Sequence, residues 1–193
     1  MKKILAVLIL GILLVGCSDG ENKNEKSNID DSATSKGEDV NKSDEGKKDE
    51  KKVYQIGETA VITSDMYDFD YQVTVNDFKL VREVDGVKIE DYISGAIDED
   101  RFAVINVTIK NISDEAYVPN EMFSANFSKQ GDDGGHTSED QFFTERDKEL
   151  QPGKEITGNI VFTTRVNSAK TFLIKFEGNS DEETHFELPN PEK

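Results

Sequence analysis

The sequence predicts an all-β domain, an antiparallel β-sandwich of about seven or eight short strands. The clearest indication is residues 67–76, in which every odd position is apolar and every even position is polar. This period of two places apolar side chains on one face of a half-buried strand. The same alternation returns in later segments, which are separated by turn residues such as Pro152 and Gly153.

The individual strands are assigned from the phase of this alternation. An opening strand is expected at residues 54–62. The second strand, 67–76, is followed by a bulge or bend, because the apolar phase shifts after Asn76 and Asp77. Residues 101–110 predict a central strand, since apolar residues occupy both of its faces at one end. Four more strands are expected at 123–127, 156–162, 172–176 and 185–188. A short helical segment is expected at 87–96.

Residues 1–16 are expected to be a signal peptide. Two lysines precede a run of apolar residues and glycines at 4–16. As a helix this run would span only ~20 Å, short of the ~30 Å hydrocarbon core of a bilayer, so a membrane-spanning helix fits less well. Cys17 directly after Gly16 resembles the lipobox of bacterial lipoproteins, which implies cleavage between the two and a diacylglycerol on the cysteine sulfur. An ordinary signal peptide with an incidental cysteine is the alternative.

Residues 17–52 are expected to form a disordered, charged tether that begins at the lipid-bearing Cys17. Only three of the residues after the cysteine have apolar side chains, too few to offset the entropy of ordering. A flexible chain of this length has an end-to-end distance of about 30–35 Å. Residues 53–193 then form one folded domain, without disulfides because the chain has one cysteine.

The charge of the chain is strongly negative and is concentrated in the folded domain. The leader carries two lysines, and residues 18–52 hold eight lysines and eleven acids, so residues 53–193 carry −16 of the total of −17. Such a domain repels nucleic acid and anionic lipid and favours basic partners or divalent cations. A charged surface that serves solubility alone explains the same composition.

Three clusters of acidic residues are candidates for a calcium site, because calcium takes six to eight oxygen ligands. They are Asp65, Asp68 and Asp70; Asp98, Glu99 and Asp100; and Asp132, Asp133, Glu139 and Asp140. The last set is the best candidate and flanks a glycine-rich turn at 131–135. None of the clusters has EF-hand spacing, and solvated strand faces or a hairpin turn explain the same residues without a metal.

Catalysis has less support in the sequence than binding. His136 and His185 are the only histidines, and each stands in or beside a polar loop. The chain has no nucleophile elbow, no zinc-protease motif and no phosphate-binding glycine loop. An enzyme is therefore not expected, and a hydrolase that uses paired carboxylates is the least favoured alternative.

Five segments carry a resemblance to a known family: 54–59, 102–111, 122–123, 150–154 and 158–162. Together they resemble the telokin-like, immunoglobulin-like domain of extracytoplasmic bacterial proteins, often lipoproteins of Gram-positive species, catalogued as a domain of unknown function. The resemblance implies an immunoglobulin-like sandwich similar to secreted mycobacterial immunoprotective antigens, and it supplies no catalytic residues. Gly158 is expected to permit a close approach of the second sheet. Residues 84–100 and 131–146 depart from the family pattern, so individual function is expected there.

The expected function is a non-catalytic binding or interaction module of the cell envelope. The lipid on Cys17 would hold it at the extracytoplasmic face of a bacterial membrane, and no nucleic-acid partner is expected. A structural or sensing domain that depends on a divalent cation, with calcium as the candidate, is the alternative.

Overall fold

The computed structural model describes residues 52–193, except residues 65, 123, 124, 179 and 182. The predicted leader and tether, including Gly16 and Cys17, lie outside the described residues. Across the described part of the chain, no helix is long and apolar enough to cross a membrane.

Strands dominate the described residues. In chain order they are β1 (Val53–Gln55), β2 (Thr59–Thr63), β3 (Asp70–Val81), β4 (Glu83–Val84), β5 (Val87–Lys88), β6 (Asp100–Asn111), β7 (Ala125–Lys129), β8 (His136–Thr137), β9 (Glu155–Arg165), β10 (Thr171–Phe176) and β11 (Thr184–Pro189). The helical turns are α1 (Ile89–Tyr92), α2 (Pro119–Met122) and two 3-10 turns, Asp140–Phe142 and Thr144–Asp147.

Nine of these strands form two sheets that pack face to face. One sheet has the order β1-β11-β10-β7-β8 and the other the order β2-β3-β6-β9, while β4 and β5 pair as a separate hairpin. Neighbouring strands are antiparallel except β1 and β11, which run parallel. The structure confirms the predicted immunoglobulin-like β-sandwich and adds one parallel pair that the alternation did not predict.

The first two predicted strands have boundaries that differ from those in the structure. The opening strand predicted at residues 54–62 is two strands, because the chain leaves β1 through Gly57, whose φ is +88°, and enters the other sheet as β2. Glycine adopts this left-handed conformation readily. The second strand begins at Asp70 rather than at residue 67, since Met66 and Tyr67 form a turn.

The central elements agree with the prediction. The pairing of β3 with β6 shifts register between Val75 and Asp77, which confirms the bulge. Strand β6 lies between β3 and β9 in the middle of its sheet. Its residues Phe102 and Ala103 are both fully buried, although they point to opposite faces, so the strand is covered on both sides at that end.

The core between the sheets is built largely from aromatic side chains. Phe127 stacks on Phe162 and on Phe172, with ring centroids 5.1 Å apart in both pairs. Full burial of such a side chain contributes about 1.5–3 kcal/mol. A second, smaller cluster forms around Phe102 and Val161 on the outer face of the β2-β3-β6-β9 sheet.

Candidate functional site

The two segments in which individual function is expected, 84–100 and 131–146, pack on the outer face of β6 and on each other. The ring of Tyr92 lies 5.4 Å from that of Phe102, and its hydroxyl donates to the carboxylate of Glu139. Desolvation, reinforced by this hydrogen bond, raises the pKa of Tyr92 to about 12. These contacts give both segments a structural role.

Phe143 inserts into the sandwich from the second of these segments. It is 2% exposed, and a Cβ built on Gly158 would lie 2.2 Å from its Cε2 atom. Gly158 therefore permits the close approach of this ring, rather than of the second sheet as predicted. The guanidinium of Arg146 lies 5.6 Å from the centre of the same ring and donates to Asp140 Oδ1 (3.3 Å) and Ser138 Oγ (3.1 Å).

The best calcium candidates do not converge on one point. Asp132 and Asp133 lie in the exposed turn after β7, whereas Glu139 accepts from Tyr92 and Asp140 from Arg146. Among the residues that the structure describes, no three Asp, Glu, His or Cys side chains are grouped so that they could hold a metal ion. Calcium binding at these residues stays a prediction that no observation favours.

The backbone of the second acidic cluster, Asp98, Glu99 and Asp100, is hydrogen-bonded to an arginine side chain. Arg82 Nη1 donates to the carbonyl oxygens of Ile97 (3.0 Å), Asp98 (3.1 Å) and Asp100 (3.3 Å). These carbonyls, which a calcium ion could use as ligands, are therefore hydrogen-bonded to a cationic side chain. In the first cluster, Asp65 lies outside the described residues, and Asp70 Oδ1 accepts a hydrogen bond from Thr63 Oγ1.

The two histidines are separate from each other. His136 is exposed in β8, and His185 in β11 pairs through Nε2 with Glu183, two residues away. Neither arrangement resembles a nucleophile and its general base, which must lie within hydrogen-bond reach of each other.

A pocket of about 450 Å³ opens at one end of the sandwich, between the β2–β3 loop and the loop after β6. It is lined by residues 67–70 and 112–117, and we call this region the pocket end. Three aromatic residues contribute to its wall: Tyr67, Phe69 and Tyr117. The rings of Phe69 and Tyr117 are in contact, with centroids 4.4 Å apart.

Four carboxylates line the same pocket: Asp68, Asp70, Asp114 and Glu115. Asp70 Oδ1 accepts a hydrogen bond from Thr63 Oγ1 at 2.7 Å. Within the described part of the chain, the other three side chains make no hydrogen bond or ion pair, and no lysine or arginine lines the pocket. The pocket end therefore combines aromatic rings with uncompensated negative charge.

Side-chain hydrogen bonds hold the loop after β6 in place. Asn111 Nδ2 donates to the carbonyl oxygens of Glu115 (2.7 Å) and Leu150 (2.9 Å), and Asn111 Oδ1 accepts from Ser113 N at 2.9 Å. The last contact is typical of an Asx turn. Tyr117, at the end of this loop, is 4% exposed, and its hydroxyl has no hydrogen-bond partner among the described residues. Burial raises the pKa of Tyr117.

The prediction missed this pocket. Tyr67 and Phe69 fit the alternation of the predicted strand, yet the chain turns between them at Asp68, whose φ is +53°. Aspartate is one of the few non-glycine residues that adopt this conformation readily. The composition of the turn, with Ser64 and Asp68 near its two ends, is the signal that could have revealed it.

Comparison with protein families identifies the family to which the domain belongs. Residues 54–183 match a family described as a domain of unknown function, DUF4352. The chain belongs to this family. The description of the family names no catalytic activity. Among curated proteins, none matches the chain.

Several solved structures share the β-sandwich at low sequence identity. A candidate lipoprotein of Bacillus subtilis, ycdA, is 19% identical with a TM-score of 0.45; the match covers 67% of this chain but only 38% of that protein. A β-sandwich protein of Clostridium difficile is 18% identical, with 75% and 99% of the two chains covered and a TM-score of 0.44. The secreted protein MPT63 of Mycobacterium tuberculosis is 16% identical, with 71% and 95% covered and a TM-score of 0.42.

Proposed function

We propose that this chain is a lipid-anchored lipoprotein of the outer face of a Gram-positive bacterial membrane, and that its telokin-like domain is a non-catalytic binding module of the cell envelope. The observation that carries the binding function is the pocket end, where aromatic rings and carboxylates without side-chain partners among the described residues lie on two loops, the second of which is held in place by Asn111. Exposed groups that are held in place without a structural partner are typical of recognition sites, because little further conformational entropy is then lost on binding.

The leader supports the location, and the tether supports the mode of action. Cleavage before Cys17 leaves a lipid-bearing cysteine followed by the polar residues 18–52. A tether of about 30–35 Å keeps the domain near the membrane while it can rotate. Confinement of this kind raises the effective concentration of the domain for partners at the same surface.

Replacement of Cys17 tests the anchor. In Cys17→Ala the sulfur that would carry the lipid is absent, so we expect the protein to move from the detergent phase to the aqueous phase of a detergent extraction, or to stay uncleaved. Ser18→Ala is the matched control, because it changes the neighbouring residue and keeps the thiol. Unchanged detergent partitioning of Cys17→Ala protein from which the leader has been cleaved would refute lipid anchoring.

Site-specific photocrosslinking in intact cells tests the binding module. A photoreactive phenylalanine analogue at Tyr67 places the probe at the pocket end, and the same analogue at exposed Lys170 places it at the opposite end of the sandwich. We expect a discrete adduct from position 67 that is absent from position 170. Equal adducts from both positions, or none from position 67, would contradict a binding role for the pocket end.

A further inference from the structure

We propose that the pocket at residues 67–70 and 112–117 binds the lysine or arginine side chain of a basic polypeptide. This inference rests on the proposed binding function and names the chemistry of its ligand. Three features of the pocket carry it: the charge of its wall, its aromatic rings, and the separation of its carboxylates.

The charge of the wall is uniformly negative. Asp68, Asp114 and Glu115 border the pocket without side-chain partners among the described residues, and no basic residue lines it. Negative charges that lie close together repel each other, and a cation bound between them relieves that repulsion. The charge of −16 on residues 53–193 adds attraction for a basic ligand at longer range.

The aromatic rings suit an organic cation. Tyr67 is 45% exposed and therefore available, while the half-buried ring of Phe69 in the same pocket wall packs on the buried ring of Tyr117. The face of an aromatic ring attracts ammonium and guanidinium groups. Met66 precedes Tyr67 in the chain and is 79% exposed, but it does not line the pocket.

The separation of the carboxylates disfavours a bare metal ion. A metal requires ligands that converge within about 2.3–2.6 Å of one point, and no group of three such side chains exists in the described residues. Carboxylates distributed around a pocket of about 450 Å³ instead fit a larger ligand with several donors. The guanidinium and ammonium groups carry five and three donors, respectively.

Binding of an acetylated hexalysine peptide to the full mature chain, measured by calorimetry at low and moderate salt, tests the inference. We expect Asp114→Asn combined with Glu115→Gln to weaken binding by about ten-fold, because two ion pairs are lost. Tyr67→Ala is expected to weaken it by about two- to five-fold through loss of the cation–π contact. The matched control is Asp132→Asn with Asp133→Asn, which removes the same charge from another loop and should leave affinity within about two-fold.

Several outcomes would overturn the inference. Equal weakening by the two double variants would mean diffuse attraction to an acidic surface, and a wild-type chain that binds no hexalysine would exclude the ligand class. Equally tight binding of spermidine would exclude a polypeptide as the specific ligand. Each of these results leaves the crosslinking test at Tyr67 as an independent measure of the proposed function.

Discussion

Several acidic residues of segments 84–100 and 131–146 accept hydrogen bonds from other side chains of the domain, whereas Asp68, Asp114 and Glu115 at the pocket end accept none from the described side chains. Glu139 accepts from Tyr92, and Asp140 accepts from Arg146. At the pocket end, Asp114 has no such partner within the described part of the chain. Segments 84–100 and 131–146 thus contribute structure to the domain, while the shorter loops of the pocket end hold carboxylates that have no side-chain partner among the described residues.

The largest effect is expected from Phe143→Ala. The ring is buried in the space left by the missing side chain of Gly158, so its removal should lower the free energy of unfolding by about 3–5 kcal/mol. Urea denaturation followed by circular dichroism measures this change. Tyr67→Ala at the pocket end should change the same free energy by no more than about 0.5 kcal/mol, because the side chain is half exposed.

A double-mutant cycle with Gly158 checks the packing argument. Gly158→Ala alone forces a Cβ into the ring of Phe143 and should cost about 1–3 kcal/mol. In the Phe143→Ala background the clash is absent, so the same substitution should be neutral or slightly stabilising. Additive effects of the two changes would show that the ring and the glycine do not interact.

The sequence predicted the sandwich well because alternation follows directly from burial in a sheet. It predicted the bulge near Asp77 for the same reason, since a bulge shifts the phase. It did not separate β1 from β2, although Gly57 and Glu58 interrupt the alternation of residues 54–62. The sequence analysis did not predict the pocket, because Tyr67 and Phe69 keep a strand-like spacing across a turn. Side-chain periodicity records burial and does not record where the backbone reverses.

A smaller effect is expected from Tyr92→Phe, which removes the hydrogen bond between the two segments. The cost at neutral pH should be about 0.5–1.5 kcal/mol. The pKa of Tyr92 is raised from 10.0 to about 12, so its stabilising contribution is complete below pH 10 and is lost as the pH rises towards 12. Thermal melts of the wild type and Tyr92→Phe should therefore converge between pH 10 and 12. Tyr67→Phe is the control and should show no such convergence with the wild type. A constant difference for Tyr92→Phe across that range would contradict the proposed contact.

The smallest effect is expected from the double variant Asp114→Asn, Glu115→Gln. These carboxylates make no side-chain contact among the described residues, and the domain already carries −16, so their removal relieves repulsion and should leave stability unchanged or raise it by up to about 0.5 kcal/mol. Urea denaturation at low salt gives the most sensitive measurement, because screening is weakest there. A loss above about 1 kcal/mol would mean that the acids have a structural role like that of Asp140. A neutral result, together with weaker binding of hexalysine, would mean that their charge serves a ligand instead of the fold.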